Sequence, residues 1–167
     1  RRIGMYYEDP VIPKNYGDTA HFPGFASTID RMLDYMDWFG QDTLTYPVVW
    51  YRGPIYKSSV EPFSPVSGVR PHPHDYPAYL MRRLAARGMA FLPVFALHEI
   101  PSLTPLAITD MKRVAAGEET TISVRCDDTL SLRGRHNSDS DFNPLDPRIQ
   151  ARVKDLVAEF LDLYGDE

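Results

Sequence analysis

Apolar residues follow two spacings that alternate along the chain. Three segments have apolar residues at every third or fourth position, which is the spacing of one helix face. The first segment has Phe25, Ile29, Met32, Leu33, Met36 and Phe39, the second has Tyr76, Leu80 and Leu84, and the third has Ile149, Val153, Val157 and Phe160. Continuous apolar and aromatic runs at 2–8, 43–51 and 89–97 predict strands. Because these strands are apolar on both faces and alternate with helices, the pattern indicates a parallel sheet covered by helices.

Residues that start and stop helices flank the same segments. Gly40 and Gly88 follow the first two helices and are expected at the C′ position. The third helix has Asp146 as its N-cap, Pro147 at its first position and Gly165 as its C-cap. These signals give each helix–strand unit a defined boundary.

The stretch between the third strand and the third helix predicts smaller elements. One or two helical turns are expected within 104–116. Ile122 and Val124 alternate with polar neighbours, as do Leu130 and Leu132. This alternation predicts a β-hairpin inserted at 120–134.

The order of the elements favours a barrel. Strands joined by right-handed helical crossovers build either a doubly wound sheet or a (β/α)8 barrel. Residues 6–17, after the first strand, contain neither GxGxxG nor GxxxxGKS/T, which disfavours a nucleotide-binding sheet. A barrel needs about 250 residues, whereas this chain has 167. The sequence therefore predicts an α/β single domain over 1–167 that is the N-terminal half of a (β/α)8 TIM barrel: about three βα units, the hairpin insertion and the helix before strand four.

Composition narrows the possible partners. The net charge of −5 provides no basic surface for nucleic acid or an anionic membrane. The sequence contains no run of about 18 apolar residues, the length that a membrane-spanning helix needs. The single cysteine, Cys126, cannot form an internal disulfide. No cofactor is expected. Prolines are frequent, at 15 residues, and they cluster in 10–23, 54–77 and 93–105. This clustering indicates long loops, where binding and catalytic residues commonly lie.

One segment carries a family resemblance. Residues 142–167, FNPLDPRIQARVKDLVAEFLDLYGDE, resemble the segment before the fourth strand of bacterial glycoside-hydrolase-like TIM barrels. Those proteins carry an Asn-Pro-x-x-Pro signature, a long helix ending in Tyr or Tyr-Gly, and then a DGI-type strand with an acidic residue at its end. This chain matches at Asn143, Pro144, Pro147 and Tyr164. The segment RRLAARGMAFLPVFAL, residues 82–97, is similar to the second helix and third strand of the same barrels.

The resemblance implies a carbohydrate-active protein that binds or hydrolyses an oligo- or polysaccharide at the C-terminal face of the barrel. The catalytic carboxylates of such proteins usually follow strands four and seven, so the main acids are expected beyond Glu167. The remainder of its own barrel is then a second expected partner. Only the resemblance suggests a periplasmic or extracellular location. A half barrel has unpaired strand edges, so residues 1–167 alone are expected to aggregate or dimerise.

The C-terminal ends of the three strands provide the candidate site, because function gathers there in a barrel. Aromatic rings stack on the C–H faces of pyranose rings, and charged groups form strong hydrogen bonds to sugar hydroxyls. The expected substrate-binding residues are Tyr7, Glu8, Asp9, Trp50, Tyr51, Arg52 and His98, with Asn143 at the barrel rim.

Glu99 is the candidate acid–base residue, since His98 or Arg52 could set its ionisation. Glycoside hydrolysis needs two carboxylates about 5–10 Å apart, and Glu8 or Asp9 could be the second. The family pattern places the acidic pair elsewhere. A supporting role in substrate binding therefore stays open for Glu99.

Two alternative functions also fit the sequence. The sequence does not decide whether the protein is an enzyme. A non-catalytic carbohydrate-binding relative would keep the scaffold and lack the acids. A metal-dependent barrel hydrolase would use His72 and His74, and also His98, since His-x-His followed by Asp provides good zinc ligands. Asp75 is explained more simply as the N-cap of the second helix. No metal is therefore expected.

Overall fold

A computed structural model describes residues 2–6, 22–50, 53–64, 75–96, 100–118, 123–124 and 141–166. The strands in these ranges are β1 (Gly4–Tyr6), β2 (Thr43–Trp50), β3 (Gly53–Pro54), β4 (Ala90–Phe95), β5 (Ser123–Val124) and β6 (Asp141–Phe142). The helices are α1 (Phe22–Trp38), α2 (Tyr76–Ala86), α3 (Thr104–Ala115) and α4 (Pro147–Tyr164). Among these helices, none is both long and apolar enough to cross a membrane.

Strand β2 is the centre of the main sheet. It pairs in parallel with β1 through Gly4–Thr43 and with β4 from Thr43–Ala90 onward. The short strand β3 pairs antiparallel with the end of β2, where Trp50 lies opposite Gly53. The predicted parallel pairing of the three apolar runs is therefore confirmed, and β1, β2, β3 and β4 form an open, mixed sheet.

The two faces of this sheet differ in what covers them. Met5, Leu44 and Phe91 share one row of the sheet and belong to, or pack against, a core made with α1 and α2. On the opposite face, Tyr6 and Leu92 flank Thr45 in one row and are each more than half exposed. Burial on both faces holds for β2 but is wrong for β1 and β4. Each of these two strands has only β2 as a described neighbour, and helix packing protects one face.

The apolar face predicted for α1 is confirmed from Phe25 to Met36, but it is wrong for Phe39, which follows the helix and is 49% exposed. Its buried residues are Phe25, Thr28, Ile29, Met32, Leu33 and Met36. All of these except Thr28 pack against Leu44 and Tyr46 of β2 and against Tyr76, Leu80 and Leu84 of α2 in one cluster. Burying such side chains contributes about 1.5–3 kcal/mol each, so this cluster is a main source of stability for the sheet and its two helices.

Helix α4 packs at the other end of β2. Leu156, Phe160 and Tyr164 join Val48 and Val49 in a second cluster. The Tyr164 hydroxyl donates to both carboxylate oxygens of Asp75, at 3.1 and 3.0 Å, so the last turn of α4 lies beside the first turn of α2. The helices of a (β/α)8 barrel all run in the same direction because each links parallel strands. The last turn of α4 instead lies beside the first turn of α2, which differs from the arrangement expected of the helix before strand four.

The local signals at helix ends are largely confirmed. The Asp75 carboxylate accepts a 3.0 Å hydrogen bond from Ala78 N, and Asp146 accepts one of 2.8 Å from Arg148 N, with proline following each cap. Gly40 and Gly88 both have φ values in the left-handed region, at 66° and 68°. Gly165 caps α4 as predicted, but it keeps a right-handed conformation with φ of −64°.

The first strand of the predicted hairpin pairs with a different segment from the one expected. Strand β5 pairs antiparallel with β6, with Val124 opposite Asp141. The second strand of the predicted hairpin, around Leu130 and Leu132, lies outside the described residues. The helical turns expected within 104–116 form a full helix of 12 residues, α3.

Candidate functional site

The parallel strands end at a common edge of the sheet, which we call the carboxyl edge. The described ends are Tyr6 of β1, Trp50 of β2 and Phe95 of β4. Trp50 is half-buried there. Of the residues expected at this edge, Tyr7, Glu8, Asp9, Tyr51, Arg52, His98 and Glu99 lie outside the described residues. The structure thus supplies the frame of the candidate site and one of its expected side chains.

The chain leaves β2 through a compact segment, residues 53–64, which we call the β2 loop. Ile55 N donates to Val48 O at 2.9 Å, and Ser64 N donates to Pro54 O at 2.8 Å. Gly53 has φ of 132°, and a Cβ added there would lie 2.0 Å from Pro62 O. Residues with a side chain rarely adopt that backbone conformation, so the fold of the β2 loop requires glycine at position 53.

A buried carboxylate fixes the far part of the β2 loop. Glu61 is 4% exposed, and it accepts a hydrogen bond of 3.1 Å from Ser102 N and another from the Ser102 hydroxyl. Arg152 Nε of α4 lies 3.1 Å from Glu61 Oε1 and forms an ion pair with it. Buried charges persist when they are paired and hydrogen-bonded, so Glu61 ties three separate parts of the chain together.

A second carboxylate, Glu159 of α4, fixes the middle of the β2 loop. Its Oε1 accepts from Ser59 N at 2.6 Å and from the Ser59 hydroxyl at 2.7 Å, while its Oε2 accepts from the Ser58 hydroxyl at 2.5 Å. Burial opposes ionisation of Glu159, but the hydrogen bonds from Ser58 and Ser59 outweigh it and lower the pKa of this carboxyl. Glu159 therefore acts as an ionised acceptor that holds the loop on α4.

Two tyrosines complete the contact between the β2 loop and the helices. The rings of Tyr56 and Tyr164 lie 5.8 Å apart, edge to face. Burial raises the pKa of Tyr56, assisted by the Glu159 carboxylate, and burial together with Asp75 raises the pKa of Tyr164. Both hydroxyls therefore stay protonated. They stabilise the fold as hydrogen-bond donors and do not act as nucleophiles.

Asn143 has a local role in the structure. Its side-chain oxygen accepts a 3.0 Å hydrogen bond from Leu145 N, and its carbonyl accepts one from Asp146 N. This is the turn-capping geometry expected of Asn before proline, and it orients the start of α4. The substrate-binding role expected of Asn143 stays a prediction.

His72 and His74, the histidines of the predicted alternative metal site, lie outside the described residues because both fall in 65–74. Within the part of the chain that the structure describes, no group of three or more His, Cys, Asp or Glu side chains is placed to hold a metal ion. Asp75, the acidic member of that motif, is the N-cap of α2, as predicted.

The sequence analysis missed Glu61, Arg152 and Glu159 as organisers of this edge. A signal for two of them is present in the helix periodicity of α4. Arg152 and Glu159 each follow a buried apolar residue by three positions, namely Ile149 and Leu156. Charged residues within an apolar helix stripe indicate a paired charge at the packed face. Glu61 has no comparable local signal.

Comparison of the chain with protein-family models and with curated proteins found no match. Function is therefore inferred from the residues and their geometry.

Proposed function

We propose that this chain is the glycan-binding half of a glycoside-hydrolase-like (β/α)8 barrel, with its site at the carboxyl edge. The observation that carries the proposal is the parallel alignment of β1, β2 and β4, which brings three strand ends to one edge. The residues that follow these ends in sequence are rich in aromatic and charged side chains, the groups that bind sugars.

The uncovered face of the sheet supports the barrel component of the proposal. Tyr6 and Leu92 are exposed on the face away from α1 and α2. In a barrel this face would line the interior, where side chains from neighbouring strands fill the core in layers. Further strands would then cover these two residues and pair with β1 and β4, which lie at the edges of the sheet that the described strands form.

The two carboxylates that fix the β2 loop have no catalytic role in this proposal. Glu61 and Glu159 are each occupied by two or more protein donors, so neither is available as an acid or base toward a substrate. In this proposal, Trp50, Tyr51, Arg52, His98 and Glu99 grip the glycan. Any hydrolysis would use Glu99 with Glu8 or Asp9, or acidic residues elsewhere in the protein, and a non-catalytic relative of the same fold is the alternative.

Binding to a panel of polysaccharides tests the proposal. The chain would be run by native electrophoresis through gels containing xylan, mixed-linkage β-glucan, glycol chitin or soluble starch. We expect one of these to retard the protein, and Trp50→Ala and Arg52→Ala each to reduce the retardation while the far-ultraviolet circular dichroism spectrum stays unchanged. No retardation by any of the four polysaccharides, or full retardation of both variants, would contradict the proposal.

A chemical assay separates the alternatives. Release of reducing sugar from the polysaccharide that binds would indicate that the protein hydrolyses it. Binding without release would favour the non-catalytic relative. Metal analysis of the purified protein addresses the third hypothesis, since a stoichiometric zinc ion lost in a His72→Ala, His74→Ala variant would favour the metal-dependent hydrolase.

A further inference from the structure

The end of α1 exposes three aromatic side chains side by side, which we call the aromatic platform: Tyr35, Trp38 and Phe39. Trp38 is 78% exposed, Phe39 49% and Tyr35 42%. The ring centroid of Phe39 lies 4.5 Å from that of Tyr35 and 4.5 Å from that of Trp38. The three rings therefore form one contiguous patch rather than scattered exposed residues, and such patches commonly mark interaction sites.

Two carboxylates lie on the same last turns of α1 as these rings. Arg87, which caps α2, pairs with Asp34 and Asp37 of α1 through nitrogen–oxygen distances of 2.7 Å each. The Asp34 and Asp37 side chains stay 71% and 54% exposed, so they can still accept hydrogen bonds from a ligand. Asp34 precedes Trp38 by four residues and so lies on the same helix face, one turn away. The platform thus combines open rings with oriented acceptors.

The size of the aromatic platform argues against a stable protein partner. With about 150–250 Å² for a fully exposed aromatic side chain, the exposed fractions leave roughly 250–420 Å² of aromatic surface. A stable protein–protein interface buries about 800 Å² on each partner. The platform alone is too small for that, but it is large enough to contact one or two sugar rings.

The chemistry of the aromatic platform favours a neutral polyhydroxylated ligand. A purely apolar ligand would remove water from Asp34 and Asp37 without giving them hydrogen bonds. A cation is bound most strongly where rings enclose it, whereas Trp38 is open to solvent. A pyranose fits both the exposed rings and the exposed carboxylates, because its C–H face stacks on a ring and its hydroxyls donate to carboxylates.

We propose that Tyr35, Trp38 and Phe39, with Asp34, form a second carbohydrate-binding surface at the end of the sheet opposite the carboxyl edge. Helix α1 ends where β2 begins, and the eight residues of β2 separate this end from the carboxyl edge by about 26 Å. The surface is thus separate from the candidate site, and it does not rest on the function proposed there. It would hold the protein on a polysaccharide while leaving the carboxyl edge accessible.

The experiment uses the full chain and the same four polysaccharide gels, with Trp38→Ala as the test variant. We expect retardation on at least one polysaccharide to fall about two- to tenfold in Trp38→Ala, as loss of one aromatic stacking contact predicts. Asp34→Asn should weaken it to a smaller extent. Leu145→Ala is the control because Leu145 is an equally exposed apolar residue, at 79%, in the turn before α4 rather than on α1, and it should leave retardation unchanged.

Other outcomes would overturn this surface. Unchanged retardation of Trp38→Ala on every polysaccharide, or no retardation of the unsubstituted chain, would exclude glycan binding by the platform. Retardation lost in Trp50→Ala but kept in Trp38→Ala would assign all binding to the carboxyl edge and leave the platform without a role. Sedimentation showing a dimer that Trp38→Ala dissociates would identify the platform as a protein contact.

Discussion

The protein uses carboxylates in two different ways in two neighbouring regions. On the β2 loop side, Glu61 is buried and Glu159 is half-buried, and both accept several hydrogen bonds from distant parts of the chain. On the outer side of α1 and α2, Asp30 pairs with Arg83 at 2.5 Å, with both side chains about 40% exposed. The contact distances of these carboxylates are similar, but Glu61 and Glu159 are more buried than Asp30. Solvent screening makes exposed pairs weak, whereas an orphaned buried charge is costly.

The largest effect is expected from Glu61→Ala. The substitution removes the acceptor of Ser102 N and leaves Arg152 without its carboxylate. We expect the free energy of unfolding to fall by about 3 kcal/mol, since breaking a buried, hydrogen-bonded pair has this magnitude. Urea denaturation followed by circular dichroism measures it. Glu61→Gln keeps an acceptor for Ser102 and should lose less; an equal or larger loss in Glu61→Gln would contradict a role based on these hydrogen bonds.

An intermediate, pH-dependent effect is expected from Glu159. Its pKa is lower in the folded protein than its ordinary value of 4.5. A lowered folded pKa contributes stability that is complete above the unfolded pKa and is lost as pH falls through the folded pKa. The wild-type protein should therefore lose stability below about pH 4.5 more steeply than Glu159→Gln. Thermal unfolding at pH 7 and at pH 3.5 would show it, and parallel losses in the two proteins would assign the pH dependence to other groups.

The smallest effect is expected from the exposed pair. Arg83→Ala should reduce the free energy of unfolding by less than about 1 kcal/mol, because solvent screens the Arg83–Asp30 interaction. The same denaturation experiment measures the change, and added salt should reduce it further. A loss as large as that of Glu61→Ala would remove the distinction between the two regions.

Helix faces and caps could be predicted because their causes are local. The three-and-four spacing of Ile29, Met32 and Leu33 identified the buried face of α1, and Asp75 was identified as a cap by the prolines and apolar residues around it. Parallel pairing of the apolar runs also followed from their composition and order. These properties depend on residues close in sequence.

The contacts around the candidate site could not be predicted in the same way. Glu61 contacts Ser102, 41 residues away, and Ser59 contacts Glu159, 100 residues away. Which strand faces are covered was also missed, since the apolar sequence of β4 is the same whether or not another element lies on Leu92. The pairing of β5 with β6 likewise depends on how distant segments meet.

The sequence by itself therefore determined the helices, their caps and the parallel order of β1, β2 and β4, because backbone geometry and side-chain periodicity act over a few residues. Tertiary structure alone decided that Glu61 and Glu159 fasten the β2 loop, that Tyr164 meets the cap of α2, and that the rings at the end of α1 stay open to solvent. These outcomes depend on which groups packing brings together and which it leaves uncovered. No short-range pattern specifies either.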